Sequence, residues 1–203
     1  GRSINLALSN RGINALKMVD MDAFMLKEAI PMYGRMIHNI DGSLMMQPYS
    51  GRQGEYINSI SRGGLNIGLL DKAEKYPNLS LHFESDCFNA DIDTGLCYFK
   101  KADGSVKEVS ADLIIGTDGA GSAIRQTMLN NSARIRFSFS QQFLEAGYKE
   151  LHIPSAVDGG FKLEKHALHI WPRGGFMMIG LPNLEGSFTM TLFTDFKGDT
   201  GFN

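Results

Sequence analysis

The stretch 112–125, DLIIGTDGAGSAIR, constrains the fold more than any other part of the sequence. An apolar run that stops at Asp118 and a glycine-dense turn predicts a buried strand leading into a helix. Gly119 and Gly121 leave main-chain amides open to a bound group because they carry no Cβ, and Ser122 is a suitable helix cap. The pattern predicts either a nucleotide-type cofactor site or a turn whose glycines serve geometry alone.

Composition excludes several classes of function. With 203 residues and 43% hydrophobic content the chain can bury a core as one large or two small domains. A formal net charge of −2 provides no basic field for nucleic acid. Cys87 and Cys97 lack CxxC spacing, and a strand would place His166 and His169 on opposite faces, so we expect reduced thiols and no metal site. No stretch approaches the ~20 apolar residues of a membrane span.

The hydrophobic periodicity predicts a mixed chain of helices and strands. Helices are predicted at 4–19 with Ser3 as cap, 21–29, 61–76 and 123–129. Strands are predicted at 80–83, 87–92, 96–101, 106–109, 113–116, 146–153, 167–171, 176–181 and 187–193. The change from this mixed pattern to an almost all-β pattern predicts a domain boundary near 129–133.

A hairpin is predicted where Asp41-Gly42 separates two apolar runs. A two-residue loop would place Arg35 and Tyr49 on opposite faces, whereas a three-residue loop ending with left-handed Gly42 makes them diagonal neighbours on one face. We predict the three-residue loop. A guanidinium and a phenol that converge in this way suit a carboxylate, although the spacing alone favours a solvated arginine beside a half-buried tyrosine.

Two later patterns in the sequence have both a structural and a functional interpretation. Met177, Ile179 and Leu181 alternate onto one face of a strand, and Leu168 and Ile170 do the same on the strand before it. This pattern is typical of either plain core or a ligand pocket. Arg62 is predicted in the first turn of a helix, where a cation opposes the helix dipole. We therefore expect its guanidinium to reach an anion or a carbonyl outside that helix.

Several segments together resemble one family. They are GRSINLALS at 1–9, IPMYGRMIH at 30–38, SRGGLN at 61–66, AEKYPN at 73–78, DLIIGTDGAGSAIR at 112–125, LHIWPRGGFMMIGLPN at 168–183 and SFTMTLF at 187–193. In this order they are similar to the FAD-dependent aromatic hydroxylases of the para-hydroxybenzoate hydroxylase type, and the resemblance covers essentially the whole chain.

The resemblance implies a fold and a set of roles. It implies an incomplete FAD-binding Rossmann-like domain at 1–129, to which the hairpin 35–49 adds substrate contacts, and an antiparallel β-sheet substrate domain at 130–203. Arg35 and Tyr49 match the pair that binds a substrate carboxylate. The apolar wall around the substrate ring matches Leu168, Met177, Ile179, Leu181 and Phe193. Contacts to FAD match Ala7, Arg62, Cys87 through its main chain, and Asp118, and the Asp118-Gly119 turn is also implicated in handling NADPH.

Compared with this family, the chain does not include the later Gly-Asp turn that contacts the ribityl chain, the loop that closes over the substrate or the C-terminal helical region. The GxGxxG turn that holds the FAD pyrophosphate does not occur, and GTDGAG has the wrong glycine spacing. We therefore expect an internal segment of a longer enzyme that would not retain FAD alone. The resemblance implies a flavin-dependent hydroxylase that acts on one aromatic acid. The alternatives are a related hydroxylase that acts on a different aromatic acid and a non-catalytic remnant. The resemblance implies a cytoplasmic location, or the mitochondrial outer membrane for a eukaryotic parent protein.

Overall fold

The computed structural model describes residues 4–52 and 54–202, which form three sheets and five helices. The helices are α1 (Asn10–Lys17), α2 (Asp22–Lys27), α3 (Arg62–Ala73), α4 (Ala123–Asn130) and α5 (Ser132–Ile135). The strands are β1 (Asn5–Leu8), β2 (Ala29–Met32), β3 (Gly34–His38), β4 (Leu44–Pro48), β5 (Ile57–Ser61), β6 (Ser85–Asp91), β7 (Leu96–Lys101), β8 (Val106–Ser110), β9 (Ala146–Ile153), β10 (Ala167–Arg173), β11 (Phe176–Pro182) and β12 (Phe188–Asp195). The predicted mixture of α/β elements with a β-rich C-terminal part is confirmed.

The chain divides into two compact units. The first combines Gly1–Tyr76 with Leu144–Asn203, and the second is Pro77–Phe143. The boundary predicted near 129–133 therefore falls within the second unit. Strand β10 pairs with β3, so an early hairpin and the late strands share one sheet, which sequence order does not reveal. The assignment of 1–129 and 130–203 to cofactor and substrate stays a prediction.

The first sheet of the first unit has the strand order β1-β5-β2, with antiparallel pairings throughout. Helices α1 and α2 contribute to its core. Helix α3 follows β5 directly, and the Ser61 hydroxyl caps it by accepting a hydrogen bond from the Gly64 amide at 3.2 Å. The core consists of Leu8, Leu16, Met21, Met25, Ala29 and Ile60.

The predicted helix at 4–19 is wrong in its first part. Asn5–Leu8 form strand β1, and α1 begins at Asn10. The apolar residues of this segment alternate, which fits a strand, and β5 supplies the hydrogen-bonding edge that the sequence pattern could not identify. Ser9 occupies the position before α1 but makes no side-chain capping bond, and the predicted cap Ser3 lies outside the described residues.

The second sheet has the strand order β4-β3-β10-β11-β12-β9. Strands β3 and β10 are parallel, and the other neighbours in this sheet are antiparallel. The predicted C-terminal strands are confirmed, with β9 at its predicted bounds and β10, β11 and β12 within two residues of theirs. The pairing of β3 with β10 thus joins the hairpin to the C-terminal strands.

Register defines the two faces of this sheet, because residues paired across neighbouring strands share a face. Leu168 pairs with Arg35, Ile170 pairs with Ile179, and Met177 pairs with Phe193. We call this side the front face. It carries Arg35, Ile37, Leu168, Ile170, Met177, Ile179, Leu181 and Phe193. The back face carries Met36, His38, His169, Trp171, Phe188 and Met190, of which Phe188, His169 and Met190 are almost fully buried.

The second unit contains the antiparallel meander β6-β7-β8, with a bulge between Cys87 and Asn89. Helix α4 packs on β6, where the Thr127 hydroxyl accepts a hydrogen bond from the Ala90 amide at 3.3 Å. The strands predicted at 87–92, 96–101 and 106–109 and the helix predicted at 123–129 are confirmed.

Two strands predicted in this unit are wrong. Residues 80–83 and 113–116 are not in strands, although 113–116 belongs to the stretch 112–125 with the clearest strand-to-turn pattern. Leu113 and Ile115 are 76% and 75% exposed. A strand needs a neighbouring edge to satisfy its main-chain groups, and no described strand pairs with this segment. Local apolar pattern alone did not produce the strand.

Candidate functional site

The hairpin between β3 and β4 has the loop that the sequence predicts. The Asn39 amide donates to the Ser43 carbonyl at 3.0 Å, which leaves a three-residue loop that ends with Gly42 at φ +84°. Arg35 pairs with Gln47, so Tyr49 lies two positions further along on the same side. The Arg35 guanidinium carbon stands 4.6 Å from the centre of the Tyr49 ring. The predicted convergence of these two side chains is confirmed.

The Tyr49 hydroxyl is a donor without an acceptor. Its oxygen is buried and has no hydrogen-bond partner among the described residues. Burial raises the pKa of this phenol, and the nearby Arg35 guanidinium opposes the rise by a smaller amount. The hydroxyl therefore stays protonated at neutral pH. Because an orphaned buried donor is costly, a ligand oxygen that accepted its hydrogen bond would be stabilising.

The predicted apolar wall lies on the same face of the sheet as Arg35. Leu168 is the immediate neighbour of Arg35 across the β3–β10 pairing, and Met177, Ile179 and Phe193 follow on β11 and β12. Met177 is 39% exposed and the other three are half-buried. Leu181 differs, because it is only 4% exposed and belongs to the core in this structure. The front face thus carries the Arg35 guanidinium, with the Tyr49 ring beside it, and a partly exposed apolar surface.

Two of the predicted FAD contacts lie in the first unit. Ala7 is an exposed residue of β1 and pairs with Ser59 on the neighbouring strand. Arg62 begins α3, and its amide donates to the Ile4 carbonyl at 3.3 Å. The strand β5 therefore links the two positions. That the Arg62 guanidinium reaches an anion or a carbonyl outside α3 stays a prediction.

The Asp118-Gly119 turn in the second unit is held by its own hydrogen bonds. The Asp118 carboxylate accepts from the Ser122 hydroxyl at 2.5 Å and from the Ala123 amide at 2.7 Å. These bonds, with that of the Ser122 hydroxyl first, hold the pKa of Asp118 below its ordinary value. Ser122 in turn caps α4 by accepting from the Arg125 amide at 3.0 Å, as predicted. The carboxylate serves the turn whether or not it also serves a ligand.

The main chain is exposed at the two glycines of this turn. Gly119 has φ +80°, and neither Gly119 nor Gly121 has another heavy atom within 4 Å of where a Cβ would stand. A ligand could therefore approach their main-chain amides closely. Cys87 lies on β6 of the same unit, and burial, followed by the adjacent Cys97 thiol, raises its pKa. A protonated thiol is consistent with the prediction that Cys87 contributes only its main chain.

Sequence reasoning missed a polar network behind the front face. The Asn5 side-chain nitrogen Nδ2 donates to the Pro182 carbonyl at 3.0 Å and to the Asn183 side-chain oxygen at 2.6 Å. The Ser59 hydroxyl donates to the same Pro182 carbonyl at 2.8 Å. These bonds attach the first sheet to the turn after β11. Because the partners are more than 120 positions apart in sequence, no local pattern could reveal them.

Two absences apply to the described residues alone. Within 4–52 and 54–202 no three histidine, cysteine or acidic side chains are grouped so that they could hold a metal ion. Over the same residues, no helix combines the length and the hydropathy that crossing a membrane requires.

Solved structures share this fold. A Klebsiella pneumoniae HpxO variant complexed with FAD superimposes with a TM-score of 0.70 at 15% identity, over 98% of this chain and 50% of that one. A 2-methyl-3-hydroxypyridine-5-carboxylic acid oxygenase gives 0.71 at 20% identity, over 96% and 48%. A salicylate hydroxylase substrate complex gives 0.66 at 14% identity, over 98% and 50%. The fold is that of the FAD-dependent aromatic hydroxylases.

Sequence comparison relates the chain to particular members of this class. No protein-family model matches the chain. Kynurenine 3-monooxygenase of Myxococcus xanthus is 46% identical over 203 residues, all of this chain and 43% of that protein. The Flavobacterium psychrophilum enzyme of the same name is 48% identical over all of this chain and 44% of its own length, and the Sus scrofa enzyme is 45% identical over 97% and 41%. The chain is therefore related to kynurenine 3-monooxygenases and spans less than half of their length.

Proposed function

We propose that this chain forms the substrate-binding face and part of the FAD site of a kynurenine 3-monooxygenase. The whole protein would convert L-kynurenine to 3-hydroxykynurenine with NADPH and O2. The observation that supports this most strongly is the front face, where Arg35, the unpartnered Tyr49 hydroxyl and the apolar wall occur together. The identity of 46% to a named kynurenine 3-monooxygenase over all 203 residues supports the same substrate.

Kynurenine is complementary to this face at both ends. Its α-carboxylate would accept hydrogen bonds from the Arg35 guanidinium and the Tyr49 hydroxyl, which are both donors. Its aromatic ring would lie on Leu168, Ile179 and Met177, with Phe193 beside them. Fixing both ends of the substrate orients for reaction the ring carbon that is ortho to the aromatic amino group. Leu181 would support this wall from within the core.

The chemistry of oxygen transfer belongs to the cofactor. FAD, reduced by NADPH, supplies the activated oxygen when bound. The task of this chain is to orient the substrate ring and to keep water away from the reacting atoms. The amino group of kynurenine already donates electron density to the carbon that reacts, so no strong protein base is required. We assign no general base among the described residues.

The residues that would hold FAD are those that the family resemblance implies. They are Ala7 and Arg62 in the first unit, and the main chain of Cys87 with Asp118 and Gly119 in the second. Open space at Gly119 and Gly121 supports close approach of the cofactor, and the Asp118-Gly119 turn would also take part in handling NADPH. In a bacterial cell such an enzyme would be cytoplasmic, while a eukaryotic form could be attached to the mitochondrial outer membrane.

Turnover by the full-length protein that contains this sequence tests the proposal. The purified protein would be supplied with FAD, NADPH and O2 and offered L-kynurenine beside a panel of phenolic acids, with products separated by chromatography. We expect 3-hydroxykynurenine from kynurenine and much slower NADPH consumption with the phenolic acids. Preferred hydroxylation of a phenolic acid would instead identify a related hydroxylase, and no flavin binding at all would identify a non-catalytic protein.

A further inference from the structure

The hairpin that carries Arg35 and Tyr49 is attached to the rest of its sheet along one side. In the strand order β4-β3-β10-β11-β12-β9, β3 has β10 as its neighbour on the side of the apolar wall. The distance from the Arg35 guanidinium to Met177 and Phe193 therefore depends on how β3 is held against β10. Four registered residue pairs make this junction, from Ala167 opposite Gly34 to Ile170 opposite Ile37.

A hydrogen bond between two imidazole rings crosses this junction on the back face. His38 Nε2 and His169 Nδ1 are 2.8 Å apart. His38 ends β3, and His169 lies in β10 next to Leu168 of the apolar wall. His169 is 1% exposed, which places this bond in a low-dielectric environment where a hydrogen bond is strong and its loss is costly.

The direction of this bond follows from the second nitrogen of His169. His169 Nε2 is 2.8 Å from the Glu164 carbonyl oxygen, which can only accept. In a neutral ring the hydrogen is therefore on Nε2, and Nδ1 is an acceptor. His38 Nε2 must then donate. Burial lowers the pKa of both rings, which favours this neutral arrangement.

Other contacts hold both rings in place. The His38 ring stacks on Trp171, with 4.0 Å between centroids and 19° between planes. Phe188 meets the His169 ring edge to face at 5.4 Å. The Arg173 guanidinium donates to the His38 carbonyl at 2.9 Å and so ties the end of β3 to β10 a second time. These contacts pack both rings against β10 and β12 on the back face.

We propose that His38 and His169 are positioning residues, whose hydrogen bond on the back face sets the place of Arg35 relative to the apolar wall on the front face. The inference rests on the proposed function. Neither imidazole faces the substrate side, because side chains alternate along a strand and Arg35 and Leu168 point the other way. Their effect on catalysis must therefore pass through the strands that they join.

A matched pair of substitutions at residue 38 in the full-length enzyme tests this role. His38→Phe keeps a ring that can stack on Trp171 but removes the N–H, whereas His38→Gln keeps an N–H donor at nearly the same reach. We expect His38→Phe to raise KM for L-kynurenine about tenfold, equivalent to about 1.4 kcal/mol, with kcat changed less than about twofold. His38→Gln should have a KM close to that of the wild-type enzyme.

Two further variants separate positioning from loss of stability. Leu192→Ala removes a side chain from the back face on β12, away from the junction, and should lower the thermal midpoint without raising KM. In an Arg35→Ala background, His38→Phe should raise KM no further, because the group that it positions is already gone.

The outcomes distinguish this inference from the proposed function. If wild-type enzyme does not hydroxylate kynurenine, the proposed function fails before any variant is compared. If wild-type enzyme is active and His38→Phe and His38→Gln have the same KM, the hydrogen bond does not position Arg35. Additive effects of His38→Phe and Arg35→Ala would overturn the inference as well.

Discussion

At the scale of single residues, Arg35 and Tyr49 are the clearest candidates for binding a ligand. Arg35 forms no ion pair within the described chain, and its guanidinium lies against the Tyr49 ring, where a cation and an aromatic face attract each other. The Tyr49 hydroxyl is buried without a partner. A guanidinium without an ion pair and a buried hydroxyl without an acceptor among the described residues are consistent with a ligand that brings the acceptors.

Under the proposed function, replacing these two residues in the full-length protein should weaken kynurenine binding by different amounts. We expect Arg35→Ala to cost ~1.5–3 kcal/mol of kynurenine binding, because a charge-assisted contact is lost. Tyr49→Phe should cost only ~0.5–1.5 kcal/mol, because it removes a neutral donor and also an orphaned buried hydroxyl. Substrate titration of the flavin absorbance gives both affinities. An Arg35→Ala enzyme with unchanged affinity would remove Arg35 from the site.

At the scale of elements, Gly42 determines the geometry of the hairpin. It has φ +84° and nothing lies within 4 Å of the position of its absent Cβ, so a substitution there acts through the backbone and not through a clash. A β-branched residue avoids this conformation, whereas asparagine tolerates it. The three-residue loop, and with it the shared face of Arg35 and Tyr49, depends on this one residue.

We therefore expect Gly42→Val and Gly42→Asn to differ. The valine should destabilise the protein by ~1–2 kcal/mol, in the range of the cost of left-handed backbone for an ordinary residue, and the asparagine by clearly less. Denaturant unfolding of the two variants and the parent protein measures the difference. Equal stabilities for valine and asparagine would show that the backbone at this turn is not strained.

The junction between β3 and β10 should also make stability depend on pH. Burial, as the largest cause, lowers the pKa of both His38 and His169 from 6.5. The neighbouring His169 and then the positive Arg173 lower the pKa of His38 further, whereas Glu164 opposes the shift at His169. Below about pH 6.5 these two imidazoles therefore bind more protons in the unfolded chain than in the folded protein. Stability should therefore be lost as pH falls through about 6.5 toward the lower folded values, and be unaffected by these rings above it.

Thermal unfolding between about pH 7.5 and pH 5 tests this expectation. The midpoint should fall on acidification in the parent protein, and it should fall less steeply in His169→Gln. The matched control is His152→Gln, at an exposed position of β9, which should leave the slope as it is. The same slope in parent and His169→Gln would contradict the assignment of this pH dependence to the histidine pair.

At the scale of the whole molecule, the chain should not retain FAD by itself. The pyrophosphate of a dinucleotide is normally held by a GxGxxG turn at a helix N-terminus, and these 203 residues contain no such spacing. The relatives that match the whole chain are more than twice as long. We expect the isolated 203-residue chain to be purified without flavin and the full-length protein to be purified with it. Stoichiometric yellow flavin on the isolated chain would refute this expectation.

Local signals determined a large part of the fold and of the candidate site. Alternating apolar residues predicted the C-terminal strands, and Asp41-Gly42 with its flanking runs predicted the odd-length loop that brings Arg35 and Tyr49 together. Ser122 was identified as a helix cap. These features depend on a few neighbouring residues, so the sequence contains all of the information that they need.

Tertiary structure decided the rest, because those features require partners that are distant in sequence. Asn5–Leu8 became a strand only because β5 offers an edge, and 113–116 did not, since no described strand pairs with it. The pairing of β10 with β3 placed the hairpin beside the apolar wall and joined His38 to His169 across 131 positions. The sequence alone determined that a guanidinium, a phenol and alternating apolar side chains are available on these strands. Long-range hydrogen bonding between strands determined that they share one face.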